Sequence, residues 1–286
     1  MEAVEISLPG GIAVGAEWRR DAWLRPILGH EEDLLMQAGR YLKPAARATQ
    51  LLTRCLLRLG PMEPVTSDAV KQLTVGDREA LLLRLRQITL GDRIACVLSC
   101  PACASTMDLD LQIRELLIPP YPHAREFHQA ELIDEGHSYT VVFRLPNGSD
   151  QEAAAQVAAE SVDDAADFVL RRCVAEIKRE DDPALGNLPH VVRQALPQKM
   201  AELDPQAEVL LNLTCPECTA GFVVPFDIGD YLYREFSSRE REFYRGVHAL
   251  SLHYHWTEHA ILGLSRRKRD LYLDLLADEV GIGRRK

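Results

Sequence analysis

Four of the seven cysteines in this chain of 286 residues form two copies of one short pattern, Cys-Pro-x-Cys. The two copies are Cys100-Pro101-Ala102-Cys103 and Cys215-Pro216-Glu217-Cys218. Together they supply four thiolates, which is the ligand set of a structural zinc site. Because four thiolates leave no open position on the metal, we expect one zinc ion per chain, with a structural role and no catalytic one.

The segments on either side of each turn predict a β-hairpin that carries the cysteines at its tip. An apolar segment precedes each turn, and a second run follows it at residues 107–111 and 222–227. Two facing tips of this kind form a zinc ribbon. Two alternatives stay open: the pairs are unrelated and never meet, or they are redox dithiols. A thioredoxin-type pair begins a helix, and neither pair precedes a helical pattern, so the redox alternative is disfavoured.

The two turns are separated by residues 104–214, far more chain than a compact zinc ribbon has between its ligand pairs. We therefore predict a split ribbon at residues 100–226 that encloses an inserted α+β subdomain at residues 112–207. The ends of an inserted domain commonly lie close together, which would let the hairpins meet. The predicted fold class is α+β, with a mainly helical body formed by residues 1–99 and 227–286.

The remaining pattern predicts individual elements around the hairpins. We expect an N-terminal hairpin around Pro9-Gly10-Gly11, and a helix over residues 44–59. Two further helices should begin after the N-caps Ser67 and Asp77. In the insertion, we expect a strand over 139–145 and helices over 150–159, 162–179 and 189–203. No internal repeat other than the cysteine hairpin is evident.

After the second hairpin, residues 227–255 predict a long helix with a break near Ser237 and Ser238. Thr257 is the expected N-cap of a short helix that ends at Leu262, and Ser265 the expected N-cap of a helix over residues 266–280. The C-terminal region is therefore predicted to be helical throughout.

A second candidate site is His255-Trp256-Thr257-Glu258-His259, which matches the H-x-x-E-H pattern of inverted zinc peptidases. That chemistry requires both histidines on one face of a continuous helix, with the glutamate as base. Because Thr257 is a predicted N-cap, His255 would lie before the helix and His259 within it. We therefore expect a helix corner here, with Trp256 packed as a wedge.

The last predicted helix begins with four basic residues, Arg266, Arg267, Lys268 and Arg269. Positive charge at a helix N-terminus opposes the helix dipole. A solvated helix start is the simplest explanation, and a partner with an acidic patch is the functional one. We treat these four residues and Trp256 as candidate partner-binding residues.

Composition and charge restrict the function classes. The formal net charge of −10 argues against a surface that binds nucleic acid or an anionic membrane, because phosphate binding requires clustered Lys and Arg. The first residues contain neither a basic region nor a long apolar run, so we expect a cytoplasmic protein. The other three cysteines, Cys55, Cys96 and Cys173, lie among apolar residues and are predicted to be buried thiols.

Several short segments, in their order along the chain, carry a resemblance to a known family. They are Trp23-Leu24-Arg25-Pro26, residues 73–79, Gly91-Asp92-Arg93, the two cysteine turns, Phe143-Arg144-Leu145-Pro146, Asp204-Pro205 and residues 247–258. This order resembles the T4-like bacteriophage baseplate hub assembly proteins and their relatives in contractile injection systems. The resemblance covers nearly the full chain.

The resemblance implies a non-enzymatic baseplate component or assembly factor of a contractile tail. Its partners would be other baseplate or tail proteins, reached from the bacterial cytoplasm or within a phage tail-like particle. The residues themselves leave two alternatives, a zinc-ribbon nucleic-acid-binding protein and an H-x-x-E-H zinc peptidase.

Overall fold

A computed structural model describes residues 3–38, 41–122, 124–134, 137–159, 161–179 and 188–280. The fold is α+β, as the sequence predicts, and its strands lie in two three-stranded sheets and two separate hairpins. Among these residues, no helix is both long and apolar enough to cross a membrane.

The N-terminal sheet consists of strands β1 (Val4–Val14), β2 (Glu17–Leu24) and β3 (Leu56–Leu59), all antiparallel and in that order. The predicted hairpin is therefore present, but its turn lies at residues 15–16. Pro9-Gly10-Gly11 instead lies inside β1, where the pairing register shifts between Ser7 and Ile12. Gly11 has φ of +92°, a left-handed conformation that glycine adopts at no steric cost.

Four helices pack around this sheet. They are α1 (Gly29–Ala38), α2 (Pro44–Cys55), α3 (Ser67–Gln72) and α4 (Val75–Leu90). The N-caps of α3 and α4 are Thr66 and Thr74, not Ser67 and Asp77 as predicted. Asp77 lies within α4, where its buried carboxylate accepts hydrogen bonds from the N–H groups of Gly10 and Gly11 at 2.8 and 2.9 Å.

The predicted helix over residues 44–59 is wrong in its last four residues. Leu56–Leu59 forms β3 and pairs with β2, although its apolar residues continue the spacing of the helix before it. A short run of leucines fits either a buried helix or a strand, and only the open edge of β2 decides between them.

The first cysteine hairpin consists of β4 (Arg93–Ser99) and β5 (Thr106–Gln112), and the short helix α5 (Ile113–Leu116) follows it. The second consists of β9 (Val209–Thr214) and β10 (Gly221–Phe226). Both lie where the sequence predicts them.

Between the hairpins lies a second three-stranded sheet. Its strands are β6 (His128–Asp134), β7 (His137–Phe143) and β8 (Val174–Arg179), and its helices are α6 (Gly148–Val157), α7 (Val162–Cys173) and α8 (His190–Leu203). A 3-10 turn, Pro205–Ala207, leads to β9. The helix predicted over 162–179 is wrong after Cys173, because the segment beyond it pairs with β7.

The C-terminal helices are α9 (Ile228–Ser237), α10 (Glu240–Tyr254), α11 (Glu258–Leu262) and α12 (Arg266–Val280). The predicted break near Ser238 is confirmed, and so is the N-cap at Thr257, whose hydroxyl accepts a hydrogen bond from the N–H of Ala260.

Three apolar clusters form the interior of the described chain. The first contains residues of β1 to β3, α1 to α4 and α9; the second contains residues of β6, β7, α7 and α8; the third joins α10, α11 and α12. The first cluster joins residues on both sides of the hairpins, since Ile228, Leu232 and Phe236 of α9 belong to the same core as the leucines of α4.

The two sheets share one topology. In each, a hairpin leads to two helices and then to a third strand that pairs with the second strand of the hairpin. A longer helix then packs on the first strand, α4 on β1 and α8 on β6, and a cysteine hairpin follows. The internal repeat is therefore larger than the duplicated hairpin that the sequence shows.

Candidate metal centre

Both cysteine turns have the same backbone hydrogen bonds. In the first turn, the N–H of Ala104 donates to the carbonyl of Cys100 at 2.9 Å, and the N–H of Cys100 donates to the carbonyl of Ser105 at 2.9 Å. In the second, the corresponding bonds join Thr219 to Cys215 and Cys215 to Ala220, each at 3.0 Å. The two turns are thus structural equivalents, as their sequences predict.

Each turn places one non-glycine residue in the left-handed region of backbone conformation. Ala104 has φ of +59° and Thr219 has φ of +60°, directly after the second cysteine of each turn. A β-branched residue is a rare occupant of this region, which makes Thr219 the more strained of the two. The turn has a glycine two residues later, Gly221, but it does not occupy the left-handed position.

The two tips bring all four cysteines together. Their sulfur atoms lie within 4.8 Å of one another. Cys100 Sγ is 3.7 Å from Cys218 Sγ, and Cys103 Sγ is 3.8 Å from Cys215 Sγ. In a tetrahedral site with metal–sulfur bonds of about 2.3 Å, the sulfur atoms are about 3.8 Å apart. The four thiols therefore lie close enough to bind one metal ion, with each turn supplying two ligands.

One cysteine of each pair faces the interior. Cys100 and Cys215 are 2% and 0% exposed, whereas Cys103 and Cys218 are exposed. Ser105 adds a hydroxyl to the cluster, 3.0 Å from Cys103 Sγ and 3.4 Å from Cys215 Sγ. Sequence reasoning missed Ser105, because serine is common in loops and its contact with Cys215 of the other turn depends on the fold.

The electrostatics of the cluster show why a cation fits it. The Ser105 hydroxyl and the N–H of Cys218 lower the pKa of the Cys215 thiol to about 6. For Cys218, the N–H of Ala220 lowers the pKa, but the neighbouring thiols raise it more, to about 12. Thiolates so close together repel one another, so all four ionise together only when a cation compensates them. The donor set and the spacing fit a metal ion.

The hairpin bases are anchored to the body of the protein. Ile94 of β4 and Ile113 of α5 belong to the first apolar cluster, together with Ile228 of α9. The Tyr231 hydroxyl of α9 donates to the carbonyl of Ala95 at 3.3 Å. The cysteine cluster therefore joins two hairpins whose bases already share one core.

Arg86 and Glu235 link the same two parts of the chain. Their side chains, 5% and 15% exposed, form an ion pair of 2.9 Å between α4 and α9. Arg86 also donates to the carbonyls of Gly91 and Arg93, at the start of β4. The contact between α4, which precedes the first cysteine hairpin, and α9, which follows the second, is therefore stabilised by polar as well as apolar interactions.

The structure contradicts the peptidase geometry at His255. This residue ends α10 in the left-handed conformation, with φ of +54°, and Thr257 caps the separate helix α11. The ring centroid of His259 lies 4.7 Å from that of His30 in α1. The two histidines therefore do not share the face of one helix, which the H-x-x-E-H chemistry requires.

Trp256 and the basic run lie in the C-terminal helices. Trp256 is half-buried and stacks on Tyr254, with ring centroids 5.0 Å apart, and meets the edge of Tyr272. Arg267 and Lys268 are exposed, and Arg266 is half-buried. All three side chains line an open groove together with α4 and the end of α9.

Arg269 differs from the other three residues of the basic run. It is 5% exposed, forms an ion pair with Glu32 of α1, and donates to the carbonyl of Leu264 at 2.8 Å. Within one chain, Arg269 is therefore an internal residue and does not belong to the exposed surface of the basic run. Its charge is needed inside the protein, where it compensates a buried carboxylate.

The three remaining cysteines divide differently from the prediction. Cys55 and Cys173 are 0% and 1% exposed, as expected of buried thiols, and burial raises the pKa of each to about 12. Cys96 lies on β4 and is only half-buried. No second cluster of potential metal ligands is found within the described ranges.

Comparisons with known proteins were informative at the level of families only. A family model described as T4 bacteriophage base plate protein matches residues 16–232. Neither the curated proteins nor the solved structures gave a match. The matched segment begins at the first β-turn, includes both cysteine hairpins and the inserted sheet, and ends within α9.

Proposed function

Because the chain belongs to the T4 bacteriophage base plate protein family, we propose that it is a non-enzymatic component or assembly factor of a contractile tail baseplate. The family match carries this proposal, since it covers well over half of the chain. The partners would be other baseplate or tail proteins, met in the bacterial cytoplasm and within the tail particle.

The exposed surface of the cysteine hairpins supports a role in protein contacts. Val97, Leu210 and Val223 are 62%, 49% and 56% exposed, and all three lie on these hairpins. Exposed apolar side chains on two hairpins whose tips meet are typical of a protein interaction site. The open groove beside Arg266, Arg267 and Lys268 is a second candidate surface, suited to an acidic partner segment.

The metal of the cluster would be zinc, one ion per chain, held by Cys100, Cys103, Cys215 and Cys218. The spacing of the four sulfur atoms and the all-thiolate donor set support zinc over cations that prefer oxygen ligands. We further propose that residues 100–226 form a split ribbon that encloses the subdomain 112–207, and that residues 1–99 and 227–286 form the body.

Native mass spectrometry tests the metal. The wild-type chain is expected to carry one zinc ion. Cys215→Ser is expected to carry none, because only three of the four thiolate ligands of the metal remain. Cys96→Ser is the matched control, since Cys96 lies on the same hairpin as Cys100 but outside the cluster. A folded wild-type chain without metal would contradict the assignment.

Genetic deletion tests the role in assembly. Without the chain, complete contractile tails are expected to be absent, and expression of the full chain should restore them. Mass spectrometry of purified particles then separates the two forms of the proposal: retention identifies a baseplate component, and absence from finished particles identifies an assembly factor. Normal particles in the deletion strain would overturn both.

A further inference from the structure

Two short helix pairs in this chain repeat each other in sequence. Residues 66–78 read T-S-D-A-V-K-Q-L-T-V-G-D-R, and residues 257–269 read T-E-H-A-I-L-G-L-S-R-R-K-R. Thr, Ala, Leu and Arg recur at the same four positions, with Val replaced by Ile and Thr by Ser. We refer to these segments as docking pair 1 (α3 and the start of α4) and docking pair 2 (α11 and the start of α12).

The two docking pairs also share their local structure. Thr66 caps α3 by accepting a hydrogen bond from the N–H of Ala69, and Thr257 caps α11 by accepting one from Ala260, both at 3.2 Å. In each pair, the long helix begins after the Thr or Ser that is eight residues further on. The arginine four residues into the long helix, Arg78 or Arg269, is buried.

Two strand-to-helix corners repeat each other as well. Corner A (residues 24–32) joins β2 to α1, and corner B (residues 143–151) joins β7 to α6. In corner A, Arg25 forms a bidentate pair with Glu31, whose carboxylate also accepts the N–H of Leu28 at 3.0 Å. Corner B has the same arrangement.

Corner B repeats each of these bonds of corner A, and its carboxylate accepts one more, from Arg172 at 2.7 Å. Arg144 forms the bidentate pair with Asp150, and the Asp150 carboxylate accepts the N–H of Asn147 at 3.0 Å. The backbone N–H of each corner arginine donates to a buried cysteine, Arg25 to the Cys55 carbonyl and Arg144 to the Cys173 carbonyl. The two corners are therefore equivalent surfaces.

Each docking pair contacts one corner, pair 1 corner B and pair 2 corner A, through an equivalent backbone hydrogen bond. The N–H of Gly148 in corner B donates to the Leu73 carbonyl of docking pair 1 at 3.2 Å. The N–H of Gly29 in corner A donates to the Leu264 carbonyl of docking pair 2 at 3.3 Å. The neighbouring residues form an antiparallel β-bridge in both cases.

Both corners require glycine at the docking point. A Cβ atom on Gly29 would lie 2.7 Å from Arg269 Nη1 and 2.7 Å from the Cα of Leu262. A Cβ atom on Gly148 would collide in the same way with the guanidinium of Arg78. The same contact therefore occurs twice. In each copy, the glycine of a corner packs against a docking pair whose last residue is a buried arginine.

The two copies differ in how they are built into the chain. Docking pair 1 lies in the middle of the first apolar cluster. Docking pair 2 belongs to residues 240–280, which we call the C-terminal latch and which have an apolar cluster of their own. A turn at Ser238 and Arg239 connects the latch to α9.

We propose that the C-terminal latch is an exchangeable element, and that it can dock on corner A of a second copy of this chain. The partner is identified by the interface itself, because both halves of the contact are present in every copy. Exchange between copies would retain the Gly29–Leu264 bond and the Arg269–Glu32 pair unchanged, which is why exchange of an identical element has a low energetic cost.

The proposal deepens the proposed function, since it rests on a protein that acts by assembly and it names one partner surface. Within one chain, the latch faces corner A at an effective concentration of roughly millimolar order. The isolated wild-type chain is therefore expected to close on itself and remain a monomer in dilute solution. Exchange would occur where copies are concentrated, as at a growing baseplate.

A complementation experiment tests the exchange in full-length chains. Arg269→Ala removes the arginine of the latch and leaves corner A open, whereas Gly29→Val blocks corner A and leaves the latch intact. Each variant alone is expected to be a monomer. An equimolar mixture is expected to form a 1:1 dimer with twice the mass, measured by analytical ultracentrifugation, because one chain supplies the latch and the other the corner.

Hydrogen exchange locates the contact in the mixture. The amide of Gly29 is expected to be protected in the wild type, unprotected in Arg269→Ala alone, and protected again when Gly29→Val is added. The matched controls are Arg267→Ala, an exposed neighbour in the basic run, and Gly263→Ala, where a Cβ meets only ordinary contacts. Mixtures that contain a control in place of its variant should not dimerise.

Two outcomes decide the proposal. If both variants are folded by circular dichroism and the mixture stays monomeric without added protection at Gly29, exchange is wrong. If Arg269→Ala does not fold, Arg269→Met keeps the apolar stem and takes its place in the same mixture. The result is independent of the deletion test, since an essential baseplate protein can lack exchange, and exchange can occur in purified chains without any role in tails.

Discussion

Asp77 illustrates at the scale of one residue how a buried charge is tolerated in this protein. Its carboxylate is fully buried under β1 and accepts two backbone N–H groups, from Gly10 and Gly11. Burial nevertheless raises the pKa of Asp77 to about 7, and the nearby Asp204 carboxylate contributes in the same direction. The carboxyl therefore takes up a proton in the folded protein at a pH where the unfolded chain has lost it.

This shift predicts a decrease in stability as pH rises. The folded state binds the Asp77 proton more tightly than the unfolded state, in which an aspartate has a pKa of about 3.9. The free energy of unfolding therefore falls as pH rises from about 4 through about 7. Asp77→Asn is expected to reduce that fall, because an amide does not titrate.

Urea unfolding at about pH 5 and about pH 7.5, which cover most of this window, measures the effect. Asp68→Asn is the control, since Asp68 is an exposed aspartate in the first turn of α3. Wild type and Asp77→Asn with the same change in free energy between the two conditions would show that Asp77 does not titrate in this window.

At the scale of elements, one arginine joins four helices of the body. Arg78 of α4 is 1% exposed, and its guanidinium donates to four neutral acceptors among the residues that the structure describes. Its acceptors are the carbonyls of Ala45 and Val70, the Thr49 hydroxyl and the Gln151 side-chain oxygen. These acceptors belong to α2, α3 and α6, so the planar guanidinium fixes three helices against α4.

Removing this side chain should destabilise the protein strongly. Arg78→Ala removes one donor from each of four buried or half-buried acceptors and opens a cavity next to Gly148, at a cost of about 3 kcal/mol. Arg84→Ala is the control in the same helix, because the bond given by Arg84 goes to Gln87, one turn away in α4 itself. The midpoint of urea unfolding measures both, and a shift for Arg78→Ala no larger than that for Arg84→Ala would contradict this assignment.

At the scale of the whole molecule, the cysteine cluster joins the tips of the two hairpins, whereas the first apolar core joins the helices at their bases. The core and the Arg86–Glu235 pair hold α9 against α4 without any contribution from Cys100, Cys103, Cys215 and Cys218. The tips of both hairpins are mostly exposed, and between them the four thiols are the contact that brings the tips together. The metal is therefore expected to fix the hairpins more than the helices.

Metal removal should expose the insertion to proteolysis before the body unfolds. After chelation, we expect the first cuts within residues 104–214 near the hairpin bases, because loss of the metal frees both ends of the insertion. Limited trypsin digestion with and without chelator, followed by mass spectrometry, gives the order of cuts. Cys215→Ser should give the chelator pattern without chelator, and an unchanged pattern would show that the metal does not clamp the insertion.

The sequence by itself determined the features that depend on neighbouring residues. The alternating segments beside each Cys-Pro-x-Cys turn were sufficient to predict both hairpins, and Thr257 and Ser265 were sufficient to predict the last two helix starts. Backbone turns and caps are satisfied within a few residues, so local patterns specify them. The family resemblance was also present in the sequence, since it rests on the order of such segments.

Only the tertiary structure decided the features that depend on distant partners. The segments after Cys55 and Cys173 continue a helical pattern, yet both form strands, because β2 and β7 each offer an unpaired edge. Arg269 belongs to a basic run in the sequence but lies buried against Glu32. The equivalence of the two corners became evident only from their hydrogen bonds. Glu31 and Asp150 are different residues, yet each accepts the same bonds from an arginine side chain and a backbone N–H.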